Sequence, residues 1–124
     1  MEQLLTIGVR RQPGHVLVTL AGEIDIATEP RLSAQLTALA VSGRPLIVDL
    51  GEVVFIDAAG LRALARAAWQ AAACGGSLHV VSAESRIRQL LAITGLDRHI
   101  RLARTVAEAR DALRRDQGVP GDGG

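Results

Sequence analysis

Pro45 to Leu50, PLIVDL, is nearly continuous apolar sequence that contains the β-branched residues Ile47 and Val48. A half-exposed strand alternates apolar with polar residues, whereas an unbroken run fits a strand covered on both faces, and such strands are usually central and parallel. Parallel neighbours cannot be joined by a tight hairpin, so the flanking sequence has to supply helical crossovers. Downstream it does so. Leu61, Leu64, Ala65, Ala68 and Ala72 recur at helical spacing on one face, with Arg62, Arg66 and Ala73 opposite and Trp69 near the boundary, until Gly75-Gly76 ends the helix. SLHVVS, Ser77 to Ser82, reads as the next strand. Ser85 to Thr94 places Ile87, Leu90 and Leu91 on one side of a helix that stops at Gly95, and a short strand follows over Ile100 to Leu102. Thr105 and Glu108 are spaced as a capping box, which predicts a last helix over Val106 to Arg115 burying Val106, Ala109 and Leu113.

Upstream, Leu4 to Val9 and His15 to Ala21 are short apolar segments separated by Pro13-Gly14, the residues of a tight turn, so the chain is expected to open on a hairpin. In GEIDIATEP the strand pattern breaks. Thr28 is placed as the N-cap of a helix with Glu29 and Pro30 in its first turn, Leu32, Leu36 and Leu39 inward, and an end near Ser42-Gly43. Together these elements predict one α/β domain over residues 1–116, with a mixed, mostly parallel sheet, an N-terminal hairpin and about four helices. Residues 117–124 are too small and polar to pack and are expected to form a disordered tail.

Composition narrows the function. All 14 basic residues are Arg, against 13 acidic ones, and the net charge of +1 offers no polyanion surface. Aromatic residues make up 2% of the chain, too few for a base-stacking platform, so no nucleic-acid partner is expected. Cys74 stands alone and is expected to be a buried or helix-end thiol. No apolar run approaches the roughly 20 residues of a membrane span, and no leader precedes MEQLLTIGVRR, so no membrane insertion and a cytoplasmic location are expected.

In an open α/β sheet, sites gather beyond the carboxyl ends of the strands. For the strand at Pro45 to Leu50 that place is Gly51 to Gly60. Asp57 is positioned to cap the helix that starts near Ala58, and the small residues Ala58, Ala59 and Gly60 would let another backbone approach. A plain cap and a binding surface both fit this turn. Catalysis fares worse. His15, His79 and His99 carry no nucleophile order, metal-ligand spacing or phosphate loop, and His79 reads as a packing residue. An Asp49–Asp57 pair of the phosphoacceptor kind would require a lysine, and the chain has none. No enzymatic activity, cofactor or metal is expected.

The segments LVTLAGEID (Leu17 to Asp25), LIVDLGEVVFIDAAGLRAL (Leu46 to Leu64) and LLAITGLDRHI (Leu90 to Ile100) resemble the STAS family, and within it the bacterial anti-sigma-factor antagonists. GEID and the FIDxxGL turn are the most specific parts. The resemblance implies a partner-switching protein that binds an anti-sigma factor, often a serine kinase, and so frees a sigma factor for transcription. In the family the residue after the motif's Asp is commonly a phosphorylated serine. Here Asp57 matches the acid and Gly60-Leu61 the Gly-Leu pair, while Ala58 occupies the serine's position and accepts no phosphate. The partner-binding residues implied are Gly22, Glu23 and Asp25 from one turn with Asp57, Ala58, Ala59, Gly60, Leu61 and Arg62 from the other, Arg66 extending the surface along the helix. A monomer or weak dimer is expected. The resemblance leaves open a second role, as an accessory subunit of a lipid-transport ATPase or another signalling scaffold.

Overall fold

The structure, a computed structural model, describes residues 4–96 and 98–116. The tail expected over 117–124 lies outside them. Five strands form one sheet in sequential order: β1 (Leu5–Gln12), β2 (His15–Ile24), β3 (Leu46–Ile56), β4 (Leu78–Val81) and β5 (Ile100–Ala103). β1 pairs antiparallel with β2 through the Pro13-Gly14 turn, where Gly14 takes a φ of 84°, and every later pairing is parallel. Among the described residues four helices connect or follow the strands: α1 (Glu29–Ala40), α2 (Ala58–Ala73), α3 (Ser85–Thr94) and α4 (Val106–Asp116). The mixed α/β class follows from the sequence as expected.

The alternation of strand side chains divides the core in two. Val18 and Leu20 of β2 and Leu46, Val48 and Leu50 of β3 face α1, α2 and α3, where they meet Leu32, Leu36, Leu64 and Leu91. Ile47 points the other way and joins Val81, Ala103, Ala109 and Leu113 beneath α4. Each Leu buried at 0% exposure contributes on the order of 2 kcal/mol from removed apolar surface, so the larger cluster dominates stability.

Four elements differ from expectation. β2 and β3 run on to Ile24 and Ile56, well past Ala21 and Leu50. β3 gains its length through two irregularities in its pairing with β2, where Asp49 to Glu52 faces Thr19 to Ala21 and Val53 to Phe55 faces Gly22 to Glu23. Bulges of this kind break the apolar pattern without ending the strand. α2 buries Ala63, Ala67 and Ala71 with Leu61, Leu64 and Ala68, while Ala65 is half-buried and Ala72 exposed. In α4, Thr105 Oγ1 accepts from the Glu108 N–H at 3.0 Å, but the Glu108 carboxylate accepts from the Arg104 N–H at 2.7 Å, one residue earlier than a reciprocal box would have it.

His15 and His79 are 7% and 1% exposed, and the Nε2 of each has no hydrogen-bond partner among the described residues. Burial pushes both imidazoles below their ordinary value of 6.5, with Arg110 adding to the effect at His15 and Arg101 at His79; Asp116 opposes it at His79. Both groups therefore hold fewer protons folded than unfolded between the lowered values and 6.5. Stability is expected to be full above pH 6.5 and to fall as the pH drops through 6.5 toward the folded values. Urea midpoints at pH 7.5, 6.5 and 5.5 test this, and a midpoint that does not move, or a His79→Gln variant with an undiminished slope, would contradict it.

Candidate functional site: the paired turns at the strand ends

The carboxyl ends of β2 and β3 are held together by register. Glu23 lies opposite Phe55 and Ile24 opposite Ile56, and beyond the last pair the Asp57 N–H donates to the Ile24 carbonyl at 3.1 Å. The two turns expected to form one surface are thus neighbours.

Asp57 is the N-cap of α2. Its backbone is extended, with φ −107° and ψ −173°, and its Oδ1 accepts from the Gly60 N–H at 3.1 Å. A carboxylate here satisfies one of the free first-turn donors and meets the positive helix end. Ala58 and Arg62 point to solvent, and Asp57 and Ala59 are half-buried. Arg62 makes no ion pair among the described residues, whereas Arg66 lies 3.9 Å from Glu29 of α1. That contact is long and its guanidinium is mostly exposed, so it contributes little.

Gly60 and Leu61 belong to the core. Both are buried, and a Cβ on Gly60 would lie 2.6 Å from Ile24 Cγ2 and 2.8 Å from Ile56 Cγ1. The missing side chain lets the first turn of α2 rest on the two strand ends. Gly60→Ala is expected to cost about 1–3 kcal/mol, as overpacking in a closed core does. An unchanged melting temperature would show that the turn yields freely.

The β2 turn is built differently from the sequence reading. Thr28 does not cap α1 with its side chain; its hydroxyl donates back to the Glu23 carbonyl at 2.9 Å and accepts from the Asp25 N–H at 2.9 Å. Asp25 takes over the turn, its Oδ1 accepting from the N–H groups of Ala27 and Thr28, each at 3.0 Å. Three bonds at most leave a carboxylate further acceptor sites. Gly22 and Glu23 lie inside β2 rather than in a loop. Gly22 has a φ of 109° and the Glu23 N–H donates to the Leu4 carbonyl at 2.7 Å.

Sequence reasoning overlooked the apolar members of this surface. Ile26 is 78% exposed, Val54 75% and Phe55 47%, all at the same end of the sheet. The signal lay in the run VVFI, where Val53 and Ile56 take the buried positions and leave Val54 and Phe55 outside. Asp49, by contrast, is mid-strand and accepts from the Gly51 N–H at 2.9 Å. At ~3.3 Å per strand residue, and with the two irregularities holding β3 to the rise of β2, it stands roughly 20 Å from Asp57, and no acidic pair forms. Among the described residues no group of three or more metal-ligating side chains occurs, and no helix is long and apolar enough to cross a membrane. Cys74 is exposed at the end of α2.

A five-stranded mixed sheet opened by a hairpin, with a capped helix starting beside an adjacent strand exit, defines a class of small α/β domains. The chain belongs to the STAS domain family, whose model matches residues 6–109. It is 32% identical over 92 residues to the anti-sigma-B factor antagonist of Bacillus subtilis (strain 168), covering 74% of this chain and 84% of that one. The crystal structure of an anti-sigma factor antagonist from Mycobacterium paratuberculosis superposes with a TM-score of 0.78 at 32% identity, covering 89% of this chain and 94% of the other. The unphosphorylated form of the anti-sigma factor antagonist SpoIIAA shares the fold at 20% identity, with a TM-score of 0.70 over 88% of this chain and 96% of that one.

Proposed function

We propose that this protein is an anti-sigma-factor antagonist, which binds an anti-sigma factor through the paired turns and thereby releases a sigma factor. The observation that carries the reading is the likeness to the Bacillus subtilis antagonist at 32% identity across most of both chains. The surface is suited to the role. Ala58 and Arg62 at the start of α2 are accessible, Ile26, Val54 and Phe55 supply apolar contact, and the Asp57 and Asp25 carboxylates pre-order the backbone around them. Gly22, Gly60 and Leu61 serve this surface by fixing its geometry, and Glu23 and Ala59 lie half-buried at its base.

Control by phosphate at this turn is absent, because Ala58 has no hydroxyl. The nearby hydroxyls are committed elsewhere: Thr28 donates to the Glu23 carbonyl and Ser33 to the Glu29 carboxylate. Binding is therefore constitutive, and regulation rests on abundance or on the partner. Capture of partners from the native host, followed by incubation of the complex with its kinase and ATP, tests both statements. An anti-sigma factor is the expected partner, and the complex is expected to survive without phosphate incorporation. A transporter ATPase as the captured partner would overturn the first statement; phosphate on Thr28 or Ser33 with loss of binding would overturn the second. Trp69, 60% exposed on α2 and the only Trp of the chain, supplies an emission signal for coverage of this helix.

A further inference from the structure

At the opposite end of the sheet the hairpin turn meets the last turns of α4 in a cleft of about 110 Å³, lined by Pro13, Gly14, His15, Arg110, Leu113 and Arg114. A single water needs about 10–15 Å³ by the same measure, so the cleft has room for a group the size of several waters. Its walls carry charge of one sign. Arg110 makes no hydrogen bond or ion pair among the described residues, and Arg114 pairs with Asp111 on its own helix. From the α1–β3 connection Arg44 donates to the carbonyls of Gln12 and His15, the latter at 3.2 Å. His15, 7% exposed, sits in this wall, and its buried Nε2 has no partner among the described residues, which is uncommon for a buried polar atom.

We propose that this cleft binds a small tetrahedral oxyanion of the phosphate class, free or as the terminal phosphoryl group of a small metabolite, between Arg110 and Arg114 and against the His15 ring. Guanidinium groups are suited to such an ion because their planar N–H donors match pairs of its oxygens. The anion also supplies the negative charge that His15 lacks. The groups facing the imidazole are Arg44, Arg110, Arg114 with its partner Asp111, and His79 of β4, and their sum is positive. A bound anion a few ångströms away favours the protonated ring, without having to touch Nε2. Binding therefore takes up a proton from solvent. This site is at the opposite end of the sheet from the paired turns and shares no residue with them.

Calorimetry on the full chain with sodium sulfate tests the proposal, because sulfate does not titrate near neutral pH and any proton taken up enters the protein. One saturable site is expected, about threefold or more tighter at pH 6 than at pH 8, since each unit by which the anion raises the His15 pKa is worth up to a factor of ten in affinity, reached in full only below both values. Heats in two buffers of different ionisation enthalpy should show net proton uptake. Arg110→Gln is expected to weaken binding about tenfold at both pH values, in line with the loss of one charged hydrogen-bonding group. Arg86→Gln, at the start of α3 and outside both surfaces, should leave it unchanged. Should His15→Gln fail to fold, the imidazole C2 proton resonance of His15 in the unmodified chain reads the same linkage by shifting toward the protonated value on adding sulfate. Glycerol phosphate in place of sulfate separates the sources: tighter binding assigns the cleft to an organic phosphate, equal binding to the free ion. The proposal is overturned by the absence of saturable binding up to about 10 mM sulfate at pH 6, ten times weaker than a millimolar site, by Arg110→Gln binding as well as the unmodified chain, or by binding without pH dependence.

Discussion

Gly22→Ala is expected to remove about 3–5 kcal/mol of stability, a size that backbone strain combined with a buried clash reaches. A Cβ at this position would lie 2.0 Å from the Leu4 carbonyl oxygen and 3.0 Å from its carbon. Both are backbone atoms and cannot rotate aside. The φ of 109° adds a second penalty, because a residue with a side chain rarely adopts it. Relief would require β1 to move away from β2, and the first bond lost would be that from the Glu23 N–H to the Leu4 carbonyl. Against a total of about 5–15 kcal/mol for an ordinary domain, the variant is expected to be largely unfolded at 37 °C or to melt far below the parent. Circular dichroism during heating measures this. A melting temperature within a few degrees of the parent's would show that the hairpin absorbs the side chain.

Ala58→Glu is the converse case, a change expected to weaken binding strongly while leaving the fold intact. Position 58 is exposed in the first turn of α2, where a carboxylate meets the positive helix end and is worth about 0.3–1 kcal/mol to stability. At a closed interface the same carboxylate would be buried without a partner, beside the Asp57 charge. That costs about 2–3 kcal/mol of binding, a factor of roughly 30–150 in Kd. Thermal melting and an affinity measurement against the captured anti-sigma factor should move in opposite directions. Equal affinity of the two forms would move the interface away from the start of α2 and with it the function proposed for this turn.

Much of this fold is legible in the sequence because its strongest signals are local. Pro13-Gly14 specifies the hairpin, the unbroken apolar run LIV specifies a strand covered on both sides, and Asp57 is the cap its position ahead of Ala58 implies. What escapes the sequence is settled by contacts between elements. Gly51-Glu52 reads as the end of a strand, yet continued pairing with β2 carries β3 through that irregularity to Ile56. The buried face of α2 is hard to phase because alanine presents nearly the same small apolar surface on every side, so Ala63, Ala67 and Ala71 are told from Ala65 and Ala72 only by what packs on them. Thr28 looks like a cap in isolation and is drawn instead to the end of β2. Gly22, Gly60 and Leu61 shape the surface expected at Asp57 and Ala58 from beneath, and Ile26 and Phe55 emerge only when the strands' true ends are known.

The sequential order of the sheet bears on how the chain is made. Each strand pairs with the one synthesised just before it, and no strand waits for a distant partner. On the ribosome the sheet can lengthen one strand at a time as the polypeptide emerges, its entropy of closure kept low because each loop joins neighbours. The newest edge is the only one left unpaired on that side at any stage. α4 is the last of the described elements to appear, and it closes over Ile47, Val81 and Ala103, so the second face of the sheet stays open to solvent or to a chaperone until Leu113 has emerged.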